Sequence, residues 1–155
     1  MVLSFKGTAH PPPRGDGRRE HSADLSRAEI SSLRMGNNGG VDVLVEHDHS
    51  ARVGKVLASW EGPRGELRVE GIINDGNAES QVRSGSMRGL SLGTGVTYGP
   101  SGGVLLRAQD ELSICEEPRR GGCFIDELNG SRVRKSANFS AGAPCISLSN
   151  KPSLN

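Results

Sequence analysis

The chain has 155 residues, a formal net charge of +1 and only 3% aromatic residues. This length fits one domain, and so small a net charge gives no broad attraction to nucleic acid or to an anionic membrane. Its three cysteines include no pair separated by two residues, as metal sites often have, and we expect a reduced, intracellular setting. Apolar runs are too short for a signal peptide or a membrane span, so we expect a soluble chain without nucleic-acid or membrane partners.

The first half of the sequence predicts strands around one short helix. Residues 2–8 are predicted as a strand, and residues 9–23, with three consecutive prolines, as an exposed connection. Apolar residues recur at helical spacing over 24–35, where a glycine follows the predicted helix. Alternation of apolar residues predicts a strand over 41–47, and a Gly-Pro-Arg-Gly turn joins two strands of a hairpin predicted at 52–60 and 66–74.

The second half predicts a helix over 76–88 and then strands. The strand-like segments are residues 89–98, 103–108, 111–116 and 122–128. After residue 130 the sequence is rich in Ser, Asn, Gly and Pro, so we expect a domain over 1–130 and a flexible tail over 131–155. The predicted class is mainly β (α+β): a curled sheet or small β-barrel with one or two peripheral helices.

A candidate nucleophile lies in the segment Gly89–Gly93, with the sequence GLSLG. Because residues two apart in a strand share a face, Leu90 and Leu92 are expected to face the core and Ser91 the other side. The flanking glycines would let a substrate backbone approach the hydroxyl closely. The alternative is a small polar residue on the outer face of an amphipathic strand.

A candidate base is His47, which continues the alternation of the valines that precede it and is expected at a sheet rim. Imidazole suits general-base catalysis because its unperturbed pKa lies near neutrality. His49 shares the predicted face, so the two histidines offer a metal site as one alternative. Two ordinary loop histidines are the other alternative.

A candidate carboxylate is Glu111, expected at the start of a strand, with Asp110 as the alternative if the register shifts by one. A carboxylate there would hold a histidine in its productive tautomer. The turn that follows at residues 118–122 contains Arg119 and Arg120, and its backbone N–H groups and positive charge suit an oxyanion. A surface carboxylate and a solvated basic turn are the alternatives.

Taken together, three segments resemble those of the herpesvirus capsid maturation proteases, the assemblins. Residues 45–56 (VEHDHSARVGKV) are similar to the assemblin histidine segment, in which His-Asp is followed by Val-Gly-x-Val. Residues 89–92 (GLSL) match the serine segment, and residues 111–122, with their paired arginines, resemble the third. The assemblin third member is a histidine where this chain has Glu111, but related prohead proteases of tailed phages have Glu-x-Ser-Leu there.

This resemblance implies a serine endopeptidase without a cofactor. It assigns Ser91 as nucleophile, His47 as base and Glu111 as its orienting carboxylate, with the Arg119 backbone N–H and the Arg120 side chain serving the oxyanion. It also implies a viral scaffolding or capsid precursor protein as substrate, cleavage between Ala and Ser, and a procapsid or virion setting, in the host nucleus if the virus is herpesvirus-like. A homodimer is one option, although no helix is predicted after residue 130 to build the assemblin dimer contact.

Two other functions stay open on the sequence alone. One is a catalytically inactive relative that serves as a scaffold or capsid-interaction module. The other is a metal-dependent hydrolase that uses His47 and His49.

Overall fold

The computed structural model describes residues 2–16, 18, 24–36 and 39–133, with the side chains of 94–97 and 104–110 outside that description. Within these residues, the chain forms one eight-stranded sheet and two helices. The elements are β1 (Leu3–His10), α1 (Arg27–Ser32), β2 (Asp42–Val45), β3 (Asp48–Glu61), β4 (Leu67–Ile73), α2 (Gly76–Ser84), β5 (Gly89–Tyr98), β6 (Val104–Cys115), β7 (Ile125–Leu128) and β8 (Ser131–Arg132). The predicted class, mainly β with two peripheral helices, is confirmed.

The sheet curls until its two ends meet. Its strand order is β5-β6-β2-β3-β4-β1-β7-β8, in which β2 and β6 are parallel and the other neighbours antiparallel. The Leu90 backbone N–H donates to the Cys123 carbonyl at 2.9 Å, and the Ile125 N–H donates to the Arg88 carbonyl at 2.8 Å. These bonds join the start of β5 to the segment that leads into β7, and they leave the barrel partly closed.

Aliphatic side chains fill the interior, as the scarcity of aromatic residues requires. Leu90 and Leu92 of β5 and Leu112 and Ile114 of β6 all belong to the buried cluster. Because side chains alternate along a strand, the opposite faces of β5 and β6 carry the polar residues between them. The predicted parity of both strands is therefore confirmed, and Ser91 lies on the face away from the core.

Several predicted strand boundaries are wrong: β3 begins at Asp48 and not at residue 52, β7 begins at Ile125 and not at residue 122, and three further differences bear on the site. β1 continues through the buried Ala9 and His10, so the connection predicted over 9–23 begins at residue 11 in the described part of the chain. The strand predicted over 41–47 ends at Val45, because the chain turns there. The two strands predicted at either side of Asp110 are one continuous β6, so Glu111 lies inside a strand and not at its start.

Both helices are shorter than predicted because capping residues define them. In α1 the Ser26 hydroxyl accepts the Glu29 N–H while the Glu29 carboxylate accepts the Ser26 N–H, a capping box that starts the helix at residue 27. In α2 the Asp75 side chain accepts the Ala78 N–H, so Asp75 is the N-cap. Gly85 ends α2 in the left-handed conformation, with φ 94°.

The sheet extends slightly past the predicted domain boundary at residue 130. β8 pairs with β7, and Val133 packs against the buried cluster. The remainder of the predicted tail, 134–155, lies outside the described residues. No helix in the described ranges is long and apolar enough to cross a membrane.

Candidate active site

β6 is the platform of the site because it lies between β5 and β2. On one side Glu111 pairs with Gly93 and Ser113 pairs with Ser91, both across the antiparallel β5 ladder. On the other side Ser113 pairs with Leu44 of the parallel β2. Since alternate residues share a face, Glu111 and Ser113 stand in a row beside the Ser91 position.

His47 reaches this row from a tight turn and not from a regular strand. Glu46 and His47 join β2 to β3, and both have positive φ, 49° and 62°. Two consecutive positive φ values are typical of two-residue hairpin turns, whose twist matches that of the flanking strands. The predicted alternation through His47 is therefore wrong, because the turn and not the strand parity directs its side chain.

Contacts with β6 hold the turn in this conformation. The Glu46 N–H donates to the Ile114 carbonyl at 3.0 Å, and the His47 N–H donates to the Ser113 hydroxyl at 2.9 Å. Left-handed backbone at a residue other than glycine costs about 1–3 kcal/mol, and these two hydrogen bonds offset part of that cost. Ser113 is fully buried and fixes the backbone of His47. The sequence analysis places Ser113 in the third segment, residues 111–122, but predicts no role for its hydroxyl.

The structure brings together Ser91, His47 and Glu111. His47 Nδ1 lies 2.5 Å from Glu111 Oε1, and His47 Nε2 lies 3.0 Å from Ser91 Oγ. The His47 side chain is 47% exposed, whereas that of Glu111 is 4% exposed. The imidazole therefore connects a buried carboxylate with a hydroxyl on the floor of an open cleft.

These contacts assign the protons on the imidazole ring. An ionised carboxylate only accepts hydrogen bonds, so Nδ1 of His47 carries a hydrogen and donates it to Glu111. Nε2 is then the free acceptor and faces the Ser91 hydroxyl. A ring held in this tautomer can take a proton from Ser91, while Glu111 stabilises the imidazolium that forms.

Two glycines make room for the protein's own atoms. A Cβ at Gly93 would lie 2.5 Å from the Glu111 carboxyl carbon, and a Cβ at Gly89 would lie 3.0 Å from the Cys115 sulfur and 2.9 Å from Pro118. The sequence predicts that these glycines open space for a substrate backbone, and the structure adds that the protein's own atoms occupy the Cβ position of both. Gly93 lets the Glu111 side chain approach β5. A residue without a side chain is needed there because the β5–β6 register pairs this position directly with Glu111.

An open cleft surrounds the Ser91 hydroxyl. Its lining consists of Glu46, His47, Ser91, Leu92, Cys115, Glu117 and Arg119. Burial raises the pKa of the Cys115 thiol to about 12, with a smaller contribution from the negative charge of Glu46. The thiol is thus protonated at neutral pH and is no rival nucleophile to a serine activated by histidine.

The two arginines of the predicted oxyanion turn point to different places. Arg119 lines the cleft beside Ser91. The Arg120 Nε donates to Asp24 Oδ1 at 2.8 Å, and its side chain is 9% exposed. This ion pair holds Arg120 in a neighbouring pocket, so the structure does not bring its guanidinium into the Ser91 cleft.

The alternatives considered from the sequence find less support. His49 is exposed in β3 and does not line the cleft. No group of three or more His, Cys, Asp or Glu side chains in the described part of the chain could hold a metal ion. The side chain of Asp110, the alternative to Glu111, lies outside the described residues.

Similar solved structures are herpesvirus proteases. The protease of Kaposi's sarcoma-associated herpesvirus (KSHV) in complex with a hexapeptide phosphonate inhibitor matches with a TM-score of 0.60 and 18% identity, over 81% of this chain and 64% of that chain. Varicella-zoster virus protease matches with a TM-score of 0.52 and 15% identity over the same shares. The KSHV protease in complex with a dimer disruptor matches with a TM-score of 0.54 and 16% identity, over 81% and 75%.

These likenesses establish the fold, which is that of the herpesvirus proteases, as the three sequence segments implied. The chain spans just under two thirds of the first two structures. No protein-family model and no curated protein sequence matches the chain.

Proposed function

We propose that this protein is a serine endopeptidase. The hydrogen-bonded series from Ser91 through His47 to the buried Glu111 carries the proposal. A serine hydroxyl is a weak nucleophile at neutral pH, and an adjacent imidazole held in one tautomer is the usual means of activating it. The herpesvirus-protease fold agrees with this assignment, and one of its solved examples is described with a hexapeptide phosphonate inhibitor.

In the proposed reaction Ser91 Oγ attacks the scissile carbonyl while its proton moves to His47 Nε2. The resulting imidazolium is stabilised by the Glu111 carboxylate at Nδ1, and it then donates the proton to the leaving amine. Water releases the acyl group in a second step by the same exchange of protons. The exposed edge of His47 meets the cleft, so the ring is accessible to the substrate.

For the oxyanion we propose the backbone N–H of Arg119. Among the described residues no acceptor is found for this N–H, and Arg119 borders the same cleft as Ser91. A donor free before the reaction can serve the charge that develops on the carbonyl oxygen. Arg120 then acts through its ion pair with Asp24, which fixes the turn that presents Arg119.

The proposed substrate is a viral scaffolding or capsid precursor protein, cleaved within a procapsid. This part of the proposal rests on the sequence resemblance together with the fold. A homodimer is proposed on the same basis, since one solved neighbour is described in complex with a dimer disruptor. Native mass spectrometry at micromolar concentration tests the dimer, and a mass of one chain only would contradict it.

A fluorophosphonate probe tests the enzyme class without knowledge of the substrate. Folded wild-type protein should be labelled at Ser91, and Ser91→Ala should abolish the label. Ser86→Ala is a matched control, because Ser86 is exposed and outside the cleft. Labelling that persists in Ser91→Ala, or no labelling of folded protein, would favour a non-catalytic capsid-interaction module. Activity lost to a chelator would favour the metal-dependent alternative.

A further inference from the structure

A second pocket adjoins the Ser91 cleft, and Arg119 lines both. The loop after β1 and the turn after β6 form its walls, with Arg14 and Arg18 on one side and Arg119 and Arg120 on the other. We call it the arginine pocket. Four arginines therefore line one small volume next to the cleft of the candidate nucleophile, although the whole chain carries a net charge of only +1.

Acidic residues neutralise two of these four charges. Arg14 pairs with Asp16 at 3.0 Å, and Arg120 pairs with Asp24 at 2.8 Å. The Arg18 backbone N–H donates to Asp16 Oδ1 at 2.9 Å, but within the described residues no ion pair involves the guanidinium group of Arg18 or of Arg119. Among the described residues, the positive charges of the arginine pocket without an acidic partner are thus those of Arg18 and Arg119.

The rest of the described lining carries no unpaired negative charge, because its one carboxylate, that of Asp24, pairs with Arg120. His10 accepts the Leu25 N–H at Nε2 and contacts the Pro11 carbonyl through Nδ1, which assigns one neutral tautomer to its ring. Burial, the largest cause, lowers the pKa of His10. Three consecutive prolines, residues 11–13, restrict the backbone of the wall. A pocket shaped in advance binds with a smaller loss of conformational entropy.

We propose that the arginine pocket is a specificity subsite for one acidic side chain of the peptide substrate, held by Arg18 and Arg119. This inference rests on the proposed protease function. Arg119 joins the pocket to the cleft, so a peptide with its scissile bond at Ser91 has a neighbouring side chain within reach of the pocket. Guanidinium groups bind carboxylates through charge-assisted hydrogen bonds, which suits Asp or Glu.

A peptide fits these features better than a nucleic acid does. The described lining of the arginine pocket contains no Phe, Tyr or Trp side chain on which a base could stack, and its one imidazole, that of His10, is only 2% exposed. The further basic pocket beyond it, which shares Arg14 and Arg18, has its other arginines paired: Arg27 with Glu61 at 3.5 Å and Arg64 with Glu66 at 3.7 Å. Among the described residues of these two pockets, the guanidinium groups without an ion pair are thus those of Arg18 and Arg119, which are too few to form a track for phosphates.

A peptide series tests the subsite. Each peptide contains one Ala-Ser bond, and a single Glu or Gln is moved through four positions on either side of it. At one position Glu should raise kcat/KM about tenfold over Gln, the effect of one charge-assisted hydrogen bond. Arg18→Gln should remove this preference, so that the kcat/KM of the Glu peptide falls to that of the matching Gln peptide. Arg132→Gln, a control at an exposed arginine of β8, should keep it.

A binding measurement decides the inference even if no peptide of the series is cleaved. A fluorescein-labelled octaglutamate should raise its anisotropy with Ser91→Ala protein, more than octaglutamine does, and Arg18→Gln should weaken that binding. Cleavage without any preference for Glu, or equal binding of both peptides, would overturn the subsite and leave the protease proposal intact. Tighter Arg18-dependent binding of a labelled oligonucleotide would overturn it in favour of nucleic acid. A failed fluorophosphonate label with retained octaglutamate binding would instead remove the protease.

Discussion

Replacing Gly93 with alanine should disconnect Glu111 from His47 while Ser91, His47 and Glu111 themselves remain unsubstituted. Gly93 pairs with Glu111 across the β5–β6 ladder, and its φ lies outside the left-handed region, so alanine fits the backbone. The new methyl group, however, would lie 2.5 Å from the Glu111 carboxyl carbon. Glu111 lies inside β6, where the strand ladder fixes its backbone. The Glu111 side chain, and not the backbone, therefore has to move.

The size of the effect follows from this overlap. Non-bonded carbon atoms are comfortable at about 3.5 Å, so the carboxyl carbon must retreat by at least about 1 Å, and the Glu111 Cγ, which lies closer still to the new methyl group, by more. A misplacement of about 1 Å in a catalytic arrangement lowers the rate about 10²-fold. Complete loss of the carboxylate's support costs about 10⁴-fold, which is the upper limit. Overpacking at this buried contact should also lower the free energy of unfolding by about 1–3 kcal/mol.

The rate of fluorophosphonate labelling at Ser91 measures the effect without a known substrate. Gly103→Ala is the matched control, because it belongs to the connection between the same two strands and its Cβ would meet nothing closer than 3.9 Å. Labelling should slow about 10²-fold in Gly93→Ala and stay unchanged in Gly103→Ala. Circular dichroism and thermal melting should show that both variants remain folded.

A second substitution separates the steric cause from general damage. Glu111→Asp shortens the carboxylate by one methylene, so the double variant Gly93→Ala/Glu111→Asp should label faster than Gly93→Ala alone. Positive coupling between neighbouring sites in such a double-mutant cycle shows that the two residues contact each other. Unchanged labelling in folded Gly93→Ala protein would refute the reasoning, because Glu111 would then be dispensable or would accommodate the methyl group.

Three further outcomes are expected. Glu111→Gln should lower kcat about 10²- to 10⁴-fold with little change in KM, because an amide cannot stabilise an imidazolium as a carboxylate does; a silent Glu111→Gln beside a damaging Asp110→Asn would move the third member by one residue. The intact chain should survive incubation uncut at Ala58–Ser59, its one Ala-Ser pair, because this bond lies within the β3–β4 ladder, which must open before cleavage; a serine-dependent fragment ending there, seen by mass spectrometry, would contradict this. The free energy of unfolding in urea should fall as the pH is lowered from 7.5 to 5.5, because burial lowers the pKa of His10 in the fold and the unfolded chain therefore takes up its proton first, near the ordinary histidine pKa of 6.5; an equal decrease in His10→Gln would exclude this histidine as the cause.

Much of the fold and the choice of site residues could be predicted from the sequence, because both depend on local patterns. Period-two alternation located β5 and β6 and assigned their core-facing side chains, since a strand buries every second residue. The resemblance of three segments then singled out Ser91, His47 and Glu111, which the structure brings together. Glycine and proline marked most of the turns. The helix ends could not be predicted from the spacing of apolar residues, because they depend on capping contacts.

The geometry that joins these residues was decided only by the tertiary structure. The turn at Glu46 and His47 adopts two positive φ values because β6 offers it the Ile114 carbonyl and the Ser113 hydroxyl, partners that lie more than 60 residues away in sequence. The partner of Gly93 depends on the β5–β6 register, and a shift by one residue would turn Glu111 to the other face. The sequence by itself thus determined which residue types were present and which faces they share. The long-range ladder determined which atoms meet, because register and turn conformation are properties of paired strands and not of either strand alone.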